Sequence, residues 1–392
     1  MDEWNIVMLK DVLQDKGYIR GPFGTALKRG EMKEVGIPVY EQQHAIYNNR
    51  EFRFYIDETK FEEMKRFQVK ENDLIISCSG TVGKVSVIST EDQKGIISQA
   101  LLLLRTDIDK VLPLYLKYFF ESREGYNAIV SRSSGSVQVN IAKRNIIEQI
   151  PLKLPPILIQ KKIVEILKGI DDKIKTNEMI NNNLVEQAQA LYNQYFPYSI
   201  SDKLSDGWRL GTVGEIIEIH DSKRIPLSGA ERMSMENKIY PYYGAASLMD
   251  YVDNFIFDGK YLLMGEDGTV VDDLGYPILQ YVWGQFWVNN HAHVLTGKRG
   301  FNVESLYMLF KRTPVKSIVT GAVQQKISQA NLRSIQVVIP PEATLIEYNN
   351  QIEPLFALLR TNEAENRSLS VLRETLLPKL MNGDIDVSTI QL

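Results

Sequence analysis

The sequence has a single cysteine, no long apolar run and no excess of one charge along most of its length. With Cys78 alone, a disulfide within the chain and a cysteine-based structural zinc site are both excluded. The longest purely aliphatic run, Leu101 to Leu104, is far too short to span a bilayer. These absences predict a cytoplasmic globular protein, and 392 residues are enough for two domains with separate cores.

Motifs of the common enzyme classes are missing as well. No Gly-Lys pair is followed by Ser or Thr, so the sequence has no phosphate-binding P-loop. Neither Pro-Pro pair follows Asn or Asp, as it would in an adenine methyltransferase, and no glycine-rich cofactor loop follows a predicted strand. His291 and His293 lack a nearby third ligand and are interpreted as packing or hydrogen-bonding residues, and Cys78 as a small core residue. We therefore expect no catalytic residue, metal or cofactor in this chain.

The net charge of -4 comes from one segment. Residues 341–392 hold four Lys and Arg against eight Asp and Glu, which accounts for the whole deficit. The rest of the chain is close to neutral. This balance suits a nucleic-acid reader that leaves much of the phosphate neutralisation to a partner, although charge alone does not indicate DNA.

The chain is an internal repeat. Six short segments of its first part recur in the same order further along: Trp4–Val12 and Trp208–Ile216, Ile37–Tyr40 and Tyr240–Tyr243, Gly80–Val82 and Gly268–Val270, Leu114–Leu116 and Leu306–Met308, Gly135–Gln138 and Gly321–Gln324, Asn145–Ile146 and Asn331–Leu332. Conserved order over six segments is hard to obtain by chance. It predicts two domains of one fold.

Each domain is followed by a predicted long helix. After Pro155-Pro156 and Pro340-Pro341 the two copies match without a gap at an offset of 185 residues. Apolar side chains recur every seven residues, which is typical of a coiled coil. The seven-residue series are Ile163, Ile170, Asn177, Leu184 and Leu191 in the first copy, and Leu355, Asn362, Leu369 and Leu376 in the second. A helix of about 40 residues would be roughly 60 Å long.

Asn177 and Asn362 interrupt the two apolar series at the same place. A surface asparagine is the simpler interpretation. The alternative is that both fix the register of the two helices, a known use of a polar residue in a helical seam. Pro354 lies inside the second predicted helix, which would then begin late or kink there.

These observations predict an α+β fold with two repeated mixed domains, each followed by a long helix, and with the helices paired as an antiparallel coiled coil with an approximate two-fold axis. The predicted segments are a first domain (1–155), a central helix (156–196), a linker (197–206), a second domain (207–340), a distal helix (341–381) and a tail (382–392).

Polar and basic residues cluster in predicted loops of each domain, where the two copies differ most. Arg can pair with guanine, Gln with adenine, and Lys or Ser with phosphate. The candidate DNA-binding residues of the first domain are Arg20, Lys28, Arg29, Lys33, Ser79, Thr81, Lys84, Arg132, Ser133, Ser134 and Gln138. Those of the second domain are Lys223, Arg224, Arg232, Tyr243, Thr269, Thr320, Gln324, Gln325 and Lys326. Ordinary polar surface loops remain the alternative for any single residue.

Over its full length the sequence resembles the specificity subunit of type I restriction-modification systems. The resemblance rests on the repeat, on Leu154-Pro155-Pro156 and Ile339-Pro340-Pro341 before the helices, and on the segments Gln160–Leu167 and Leu376–Gly383. Leu345-Ile346-Glu347 departs from the Glu-Gln pair that the family often has near the start of the second helix, which leaves the start of that helix in doubt.

The resemblance implies a target recognition domain for each half of a split site in double-stranded DNA, with the coiled coil setting the unread spacing. It also implies two methyltransferase subunits that use S-adenosylmethionine, and restriction-translocase subunits that use ATP and Mg. Two alternatives stay open at this point. One is a cytoplasmic scaffold whose paired domains bind proteins, and the other is a specificity subunit of a different methylation or restriction-like system.

Overall fold

The structure, a computed structural model, describes residues 4–23, 27–132, 139–321 and 324–390. Contacts divide the chain into two compact units. The first unit consists of Met1–Ile174 together with Arg367–Leu392, and the second consists of Lys175–Asn366. Both units combine a β-sheet with parts of two long helices.

The described part of the first unit contains nine strands. They are β1 (Asn5–Met8), β2 (Leu13–Arg20), β3 (Ile37–Tyr40), β4 (Tyr55–Ile56), β5 (Leu74–Ser77), β6 (Val85–Val87), β7 (Ile96–Ile97), β8 (Leu101–Thr106) and β9 (Pro151–Leu154) among the described residues. The helices are α1 (Gln42–Ile46), α2 (Glu58–Glu63), α3 (Pro113–Glu121), α4 (Arg123–Val130), α5 (Arg144–Ile147) and the first part of α6 (Ile157–Tyr195), with 3-10 turns at Leu9–Val12, Arg29–Glu31 and Lys65–Phe67.

A four-stranded antiparallel sheet in the order β2-β8-β5-β6 lies at the centre of the first unit. The four-leucine run forms β8. Leu102 and Leu104 pack toward α3 and α6, whereas Leu101 and Leu103 pack toward Tyr40 on the other face. Because both faces are covered there, the first four residues of the strand are all apolar instead of alternating with polar ones. A sheet in the order β4-β3-β7 and the pair β1-β9 complete the unit.

The second unit repeats this plan with a larger sheet. Its strands are β10 (Arg209–Thr212), β11 (Ile217–Ile219), β12 (Tyr240–Tyr243), β13 (Leu248–Val252), β14 (Phe257–Gly265), β15 (Leu279–Val288), β16 (Ala292–Gly297) and β17 (Gln336–Ile339). Its helices are the rest of α6, α7 (Val213–Ile216), α8 (Gly229–Ser234), α9 (Val303–Phe310), α10 (Gln329–Ser334) and the first part of α11 (Glu342–Asn382), with 3-10 turns at Asp221–Lys223 and Lys316–Ile318.

The sheet order is β11-β16-β14-β15-β12-β13, and its first four strands correspond to β2-β8-β5-β6. In β14, Leu262 and Met264 face the helices, while Leu263 faces the opposite cluster. Leu74 and Ile76 of β5 face the helices in the same way. The predicted repeat is therefore confirmed at the level of strand order and of which strand residues face each side.

The long helices α6 and α11 run antiparallel in each unit. In the first unit Arg373 Nε donates to Asp171 Oδ1 at 2.6 Å. In the second unit Asn177 donates to Asn366 and Asn362 donates to Asn181, both at 2.8 Å. The expected α+β fold with paired antiparallel long helices is thus confirmed. No helix among the described residues is long and apolar enough to cross a membrane.

The first turns of α6 and α11 are attached to their domains by different kinds of side chain. Gln160 is buried and hydrogen-bonds to Leu112 N at 3.0 Å and to the Lys110 carbonyl at 3.1 Å, which ties the helix start to its domain. The equivalent Leu345 is buried in apolar contact beside Gly300. The helix nevertheless begins at Glu342, well before Pro354, so neither the missing glutamine nor the proline delays its start.

Candidate nucleic-acid interface

Two loops meet at one edge of the central sheet of the first unit. Loop A (78–84) follows β5, and loop B (131–143) connects α4 to α5. Gly80 N–H donates to the Val139 carbonyl at 2.9 Å, and Ile141 N–H donates to the Cys78 carbonyl at 2.9 Å. The loops are thereby joined like a short antiparallel ladder, with Ser79 opposite Asn140.

The second unit contains the same junction. Here loop A (266–271) follows β14, and loop B (319–328) precedes α10. Gly268 N–H donates to the Gln325 carbonyl at 3.0 Å, and Ile327 N–H donates to the Glu266 carbonyl at 2.9 Å. Asp267 faces Lys326 across the ladder. Asp267 and Lys326 therefore occupy the positions of Ser79 and Asn140.

The paired glycines of loop A have a common physical reason. Gly80 has a φ of +67° and Gly268 a φ of +96°, a backbone region that other residues rarely adopt. A Cβ added at either position would meet no atom within 4 Å. The backbone is therefore open to solvent at the tip of loop A in both units, where a ligand could approach closely.

Most of the predicted first-unit residues lie near this junction. Ser79, Thr81 and Lys84 are on loop A, Arg132 is on loop B, and Ser133, Ser134 and Gln138 lie outside the described residues. Arg20 ends β2 at the same sheet edge, because β2 and β5 both pair with β8. Its guanidinium lies 5.8 Å from the ring centroid of Phe23, and its Nη1 is buried without a hydrogen-bond partner among the described residues.

Three other predicted residues lie on a separate segment. Lys28 and Arg29 are at the 3-10 turn that ends at Glu31, and the Lys28 N–H donates to the Glu31 carboxylate at 2.9 Å. Lys33 Nζ lies 2.7 Å from Asp57. Lys33 is thus paired with a carboxylate, and no backbone hydrogen bond between described residues joins this segment to the junction of loops A and B.

A buried polar cluster lies under the loops of the second unit. His293 is fully buried; its Nδ1 is 2.7 Å from Asp221 Oδ2, and its Nε2 is 2.8 Å from the Ile327 carbonyl. Each ring nitrogen therefore lies within hydrogen-bonding distance of an oxygen atom. Arg224 donates to Glu266 at 2.6 Å and to the Ala292 carbonyl at 2.7 Å. The cluster therefore holds Ile327, the last part of loop B, against the sheet.

The ligating atoms of Asp221, Glu266 and His293 lie within 4.8 Å of one another, close enough in principle to hold a metal ion. The cluster already contains positive charge, since Arg224 contacts both carboxylates. Burial disfavours the charged form of Asp221, but the hydrogen bonds from His293 and from Val294 N–H, together with the nearby charge of Arg224, outweigh it and hold the pKa of this carboxyl below its ordinary value. We interpret the cluster as a support for loop B, in agreement with the hydrogen-bonding role expected for His293.

Loop B of the second unit is closed by its own backbone. Thr320 and Lys326 exchange two N–H to carbonyl hydrogen bonds of 2.9 and 2.8 Å. Between them Gln324 and Gln325 are exposed, and Gln324 Nε2 donates to Asp267 Oδ1 of loop A. Lys326 Nζ lies 3.5 Å from Glu266. Thr269 is exposed on loop A beside them.

The remaining predicted residues of the second unit have different surroundings. Lys223 is exposed in the 3-10 turn beside the buried cluster, whereas only 11% of the Arg224 side chain is exposed. Tyr243 ends β12, and the segment after it lies beside loop A, since a Cβ at Gly265 would be 3.3 Å from the Ala245 carbonyl. Arg232 lies on α8, where it pairs with Asp250 at 3.1 Å and stacks over Tyr242.

Sequence reasoning missed several residues that shape the junction. Gln42 Oε1 accepts the Ser79 N–H at 3.0 Å, and Asp221 and Glu266 build the buried cluster. Asp267 lies in a loop that the sequence did single out, next to Gly268. The Asp221 contact could not be found from spacing, because Gln329, which donates to it, is 108 positions away.

Cys78 lies beside the junction but faces the core. It is fully buried, and burial raises the pKa of its thiol to about 12. A thiol with this pKa is hardly ionised near neutral pH and is a poor nucleophile. The interpretation of Cys78 as a small core residue agrees with this environment.

Comparison with known proteins adds independent information. The family described as "type I restriction modification DNA specificity domain" matches residues 1–186 and 205–373, once for each repeat. A Haemophilus influenzae protein provisionally named a type I restriction enzyme specificity subunit is 31% identical over 161 residues, 40% of this chain and 40% of that protein. The specificity subunit of a type I restriction enzyme from Methanocaldococcus jannaschii is 22% identical over 72% of this chain and 71% of its own length.

Among solved structures, the S subunit of a type I restriction-modification system from M. genitalium has the same fold, with a TM-score of 0.58 at 16% identity over 97% of this chain and 96% of that one. Each of the two family matches covers one repeat, and each repeat has its own central sheet with a corresponding strand order. The chain therefore belongs to the type I restriction-modification DNA specificity family, and it is a non-catalytic specificity subunit.

Proposed function

We propose that each domain reads one half of a bipartite site in double-stranded DNA through loops A and B, and that the paired helices set the unread spacing between the halves. The observation that carries this proposal is the twin junction. Its backbone hydrogen bonds are the same in both units, whereas the side chains opposite each other are Ser79 and Asn140 in one and Asp267 and Lys326 in the other. A common frame with different side chains suits two readers of different sequences.

The proposed contacts fall into two groups. Residues on or beside the loops supply contacts to bases and nearby phosphates: Arg20, Ser79, Thr81, Lys84, Arg132, Ser133, Ser134, Gln138, Lys223, Tyr243, Thr269, Thr320, Gln324, Gln325 and Lys326. Lys28, Arg29, Lys33 and Arg232 lie on other segments and would contact phosphates further along the duplex. Arg224 would act indirectly. Its guanidinium lies beneath loop A and donates to Glu266, which orders this loop.

Members of this family act in a complex with other subunits and with DNA, and we propose two methyltransferase subunits for this chain. A repeated protein offers two equivalent binding surfaces, which favours two copies of one partner. The methyl donor would be S-adenosylmethionine, bound to those partners. Restriction-translocase subunits would add ATP- and Mg-dependent activity, and the whole complex would work on DNA in the cytoplasm.

Mapping of methylated adenines tests the proposal. The chain is expressed with its methyltransferase in cells, and the modified positions are determined across the DNA. We expect a split motif with a fixed gap. Exchange of residues 1–155 for the corresponding domain of a relative should change one half of the motif and leave the other intact. A contiguous motif, or a change in both halves, would contradict independent reading by two domains.

A further inference from the structure

The side chains at the twin junction differ in one chemically informative way. In the first unit Ser79 Oγ hydrogen-bonds to Asn140 at 3.0 Å, a neutral pair. In the second unit the position of Ser79 is taken by Asp267, whose carboxylate accepts the Gln324 Nε2–H. The second unit therefore presents an amide on loop B that is bound to a carboxylate on loop A.

The carboxylate determines which way the amide faces. An ionised carboxylate can only accept hydrogen bonds, so the nitrogen of Gln324, and not its oxygen, must point at Asp267. One of the two amide N–H groups is used in this bond. The amide keeps one N–H donor and the carbonyl acceptor, and the residue is exposed to solvent.

The loop that carries Gln324 is itself held in place. Thr320 and Lys326 close it through their backbones, and Ile327 is fixed by Glu266 and by buried His293. An exposed side chain on an anchored loop, with its amide oriented by a second loop, is prearranged for recognition and loses little freedom on binding.

We propose that Gln324 is a specificity-determining residue of the second domain that recognises adenine, and that Asp267 is its positioning residue. Adenine offers an acceptor at N7 and a donor at N6 in the major groove, which matches one donor and one acceptor on a single amide. Guanine offers two acceptors, N7 and O6, and would require two donors from the same group. The inference rests on the proposed function and adds a residue and a base to it.

The test uses the full chain assembled with its methyltransferase and a panel of duplexes. In each duplex one base pair of the mapped site is replaced, and affinity is measured by fluorescence anisotropy at fixed salt. Gln324→Ala should reduce discrimination at one A·T pair of the second half-site by about 5- to 150-fold, the equivalent of a lost bidentate contact. Discrimination at every position of the first half-site should stay unchanged.

Asp267→Asn separates positioning from simple loop support. Asparagine keeps the shape but can donate to Gln324 Oε1 as well as accept from Nε2, so the amide is no longer held in one orientation. We expect discrimination to fall at the same A·T pair as in Gln324→Ala. Mere support of the loop would instead lower affinity for all duplexes by the same factor.

A matched control exists in the same domain. Gln285 Nε2 donates to Asp258 at 3.1 Å, also as an exposed Gln–Asp pair, but at the end of β14 and β15 away from loop A. Gln285→Ala should leave discrimination at all positions unchanged.

The outcomes are distinct. Unchanged base discrimination in both Gln324→Ala and Asp267→Asn, with native unfolding curves, would overturn the inference while the proposed function stands. Loss at a G·C pair would overturn the adenine assignment. Absence of any sequence preference in the unaltered complex would instead refute the proposed function.

Discussion

Replacement of Asp221 by asparagine should destabilise the second unit strongly, even though the change adds almost no volume. Only 4% of the Asp221 side chain is exposed. Its carboxylate accepts hydrogen bonds from His293 at 2.7 Å, Gln329 at 2.6 Å and Val294 N–H at 2.9 Å. Asparagine retains one acceptor oxygen and turns an N–H toward groups that are donors themselves.

The magnitude follows from these contacts. At least one of these three hydrogen bonds is lost, and those that remain no longer have a charged acceptor, whereas each hydrogen bond to a charged group is worth about 1.5–3 kcal/mol. The positive charge of Arg224, 3.5 Å away, also loses one of its two carboxylate partners. We therefore expect the free energy of unfolding to fall by about 3–5 kcal/mol, the range for a broken buried ion pair.

The pH dependence has a definite sign. The pKa of Asp221 lies below its ordinary value in the folded protein, so its stabilising contribution is fully present above about pH 4 and is lost as the pH falls through the folded-state pKa. Asparagine does not titrate. The stability difference between the two proteins should therefore be largest and constant with respect to the titration of Asp221 above about pH 4, and should narrow as the pH falls below that value.

Urea unfolding followed by tryptophan fluorescence measures the effect, because Trp208, Trp283 and Trp287 all belong to the second unit. Asp250→Asn is the control: this carboxylate pairs with Arg232 but is 32% exposed, and its loss should cost less than about 1 kcal/mol. If the free energies of unfolding of Asp221→Asn and of the unaltered chain differed by less than about 0.5 kcal/mol near pH 7, the cluster would not stabilise the unit in this way.

Three further predictions concern the helices and the cysteine. Asn177→Leu should lower the free energy of unfolding by about 1–3 kcal/mol. Adding Asn366→Leu should recover part of this, because the Asn177–Asn366 pair is then replaced on both sides and Glu365, the other acceptor of the Asn177 amide, is exposed to solvent; strictly additive costs in urea unfolding would contradict the pairing. Cys78 should react with a thiol reagent at pH 8 only in unfolding denaturant, and rapid modification of the folded chain would contradict its burial. Deleting one facing heptad from α6 and α11 should shorten the gap in the methylated motif, and an unchanged gap would refute the spacing role of the helices.

Much of the architecture could be predicted because it repeats and is periodic. The seven-residue series places Asn177 and Asn362 in the seam, and the structure shows both buried and hydrogen-bonded across it. Their role in fixing register stays a prediction. Gly80 and Gly268 mark loop A in both units because the turn there needs a positive φ.

The partners of charged side chains were much harder to predict. The sequence predicts Arg224 to be an exposed basic residue of a loop, yet its guanidinium is buried against Glu266, which is 42 positions away. Lys33 likewise meets Asp57 only because β3 and β4 pair. Such contacts depend on tertiary structure, so a loop can be located from sequence while the groups that orient its side chains cannot.

The first unit is formed by two segments that are far apart in sequence, and this has a consequence for folding during synthesis. Val387 is almost fully buried in the core that contains β5 and β8, and Gly383 lies against Trp4. The ribosome releases Trp4 before the second unit, and Val387 only after all residues of the second unit have emerged. The second unit, being continuous in sequence, can therefore fold during synthesis, whereas the first must wait with part of its core exposed. Loss of residues 383–390 should accordingly damage the domain that was synthesised first.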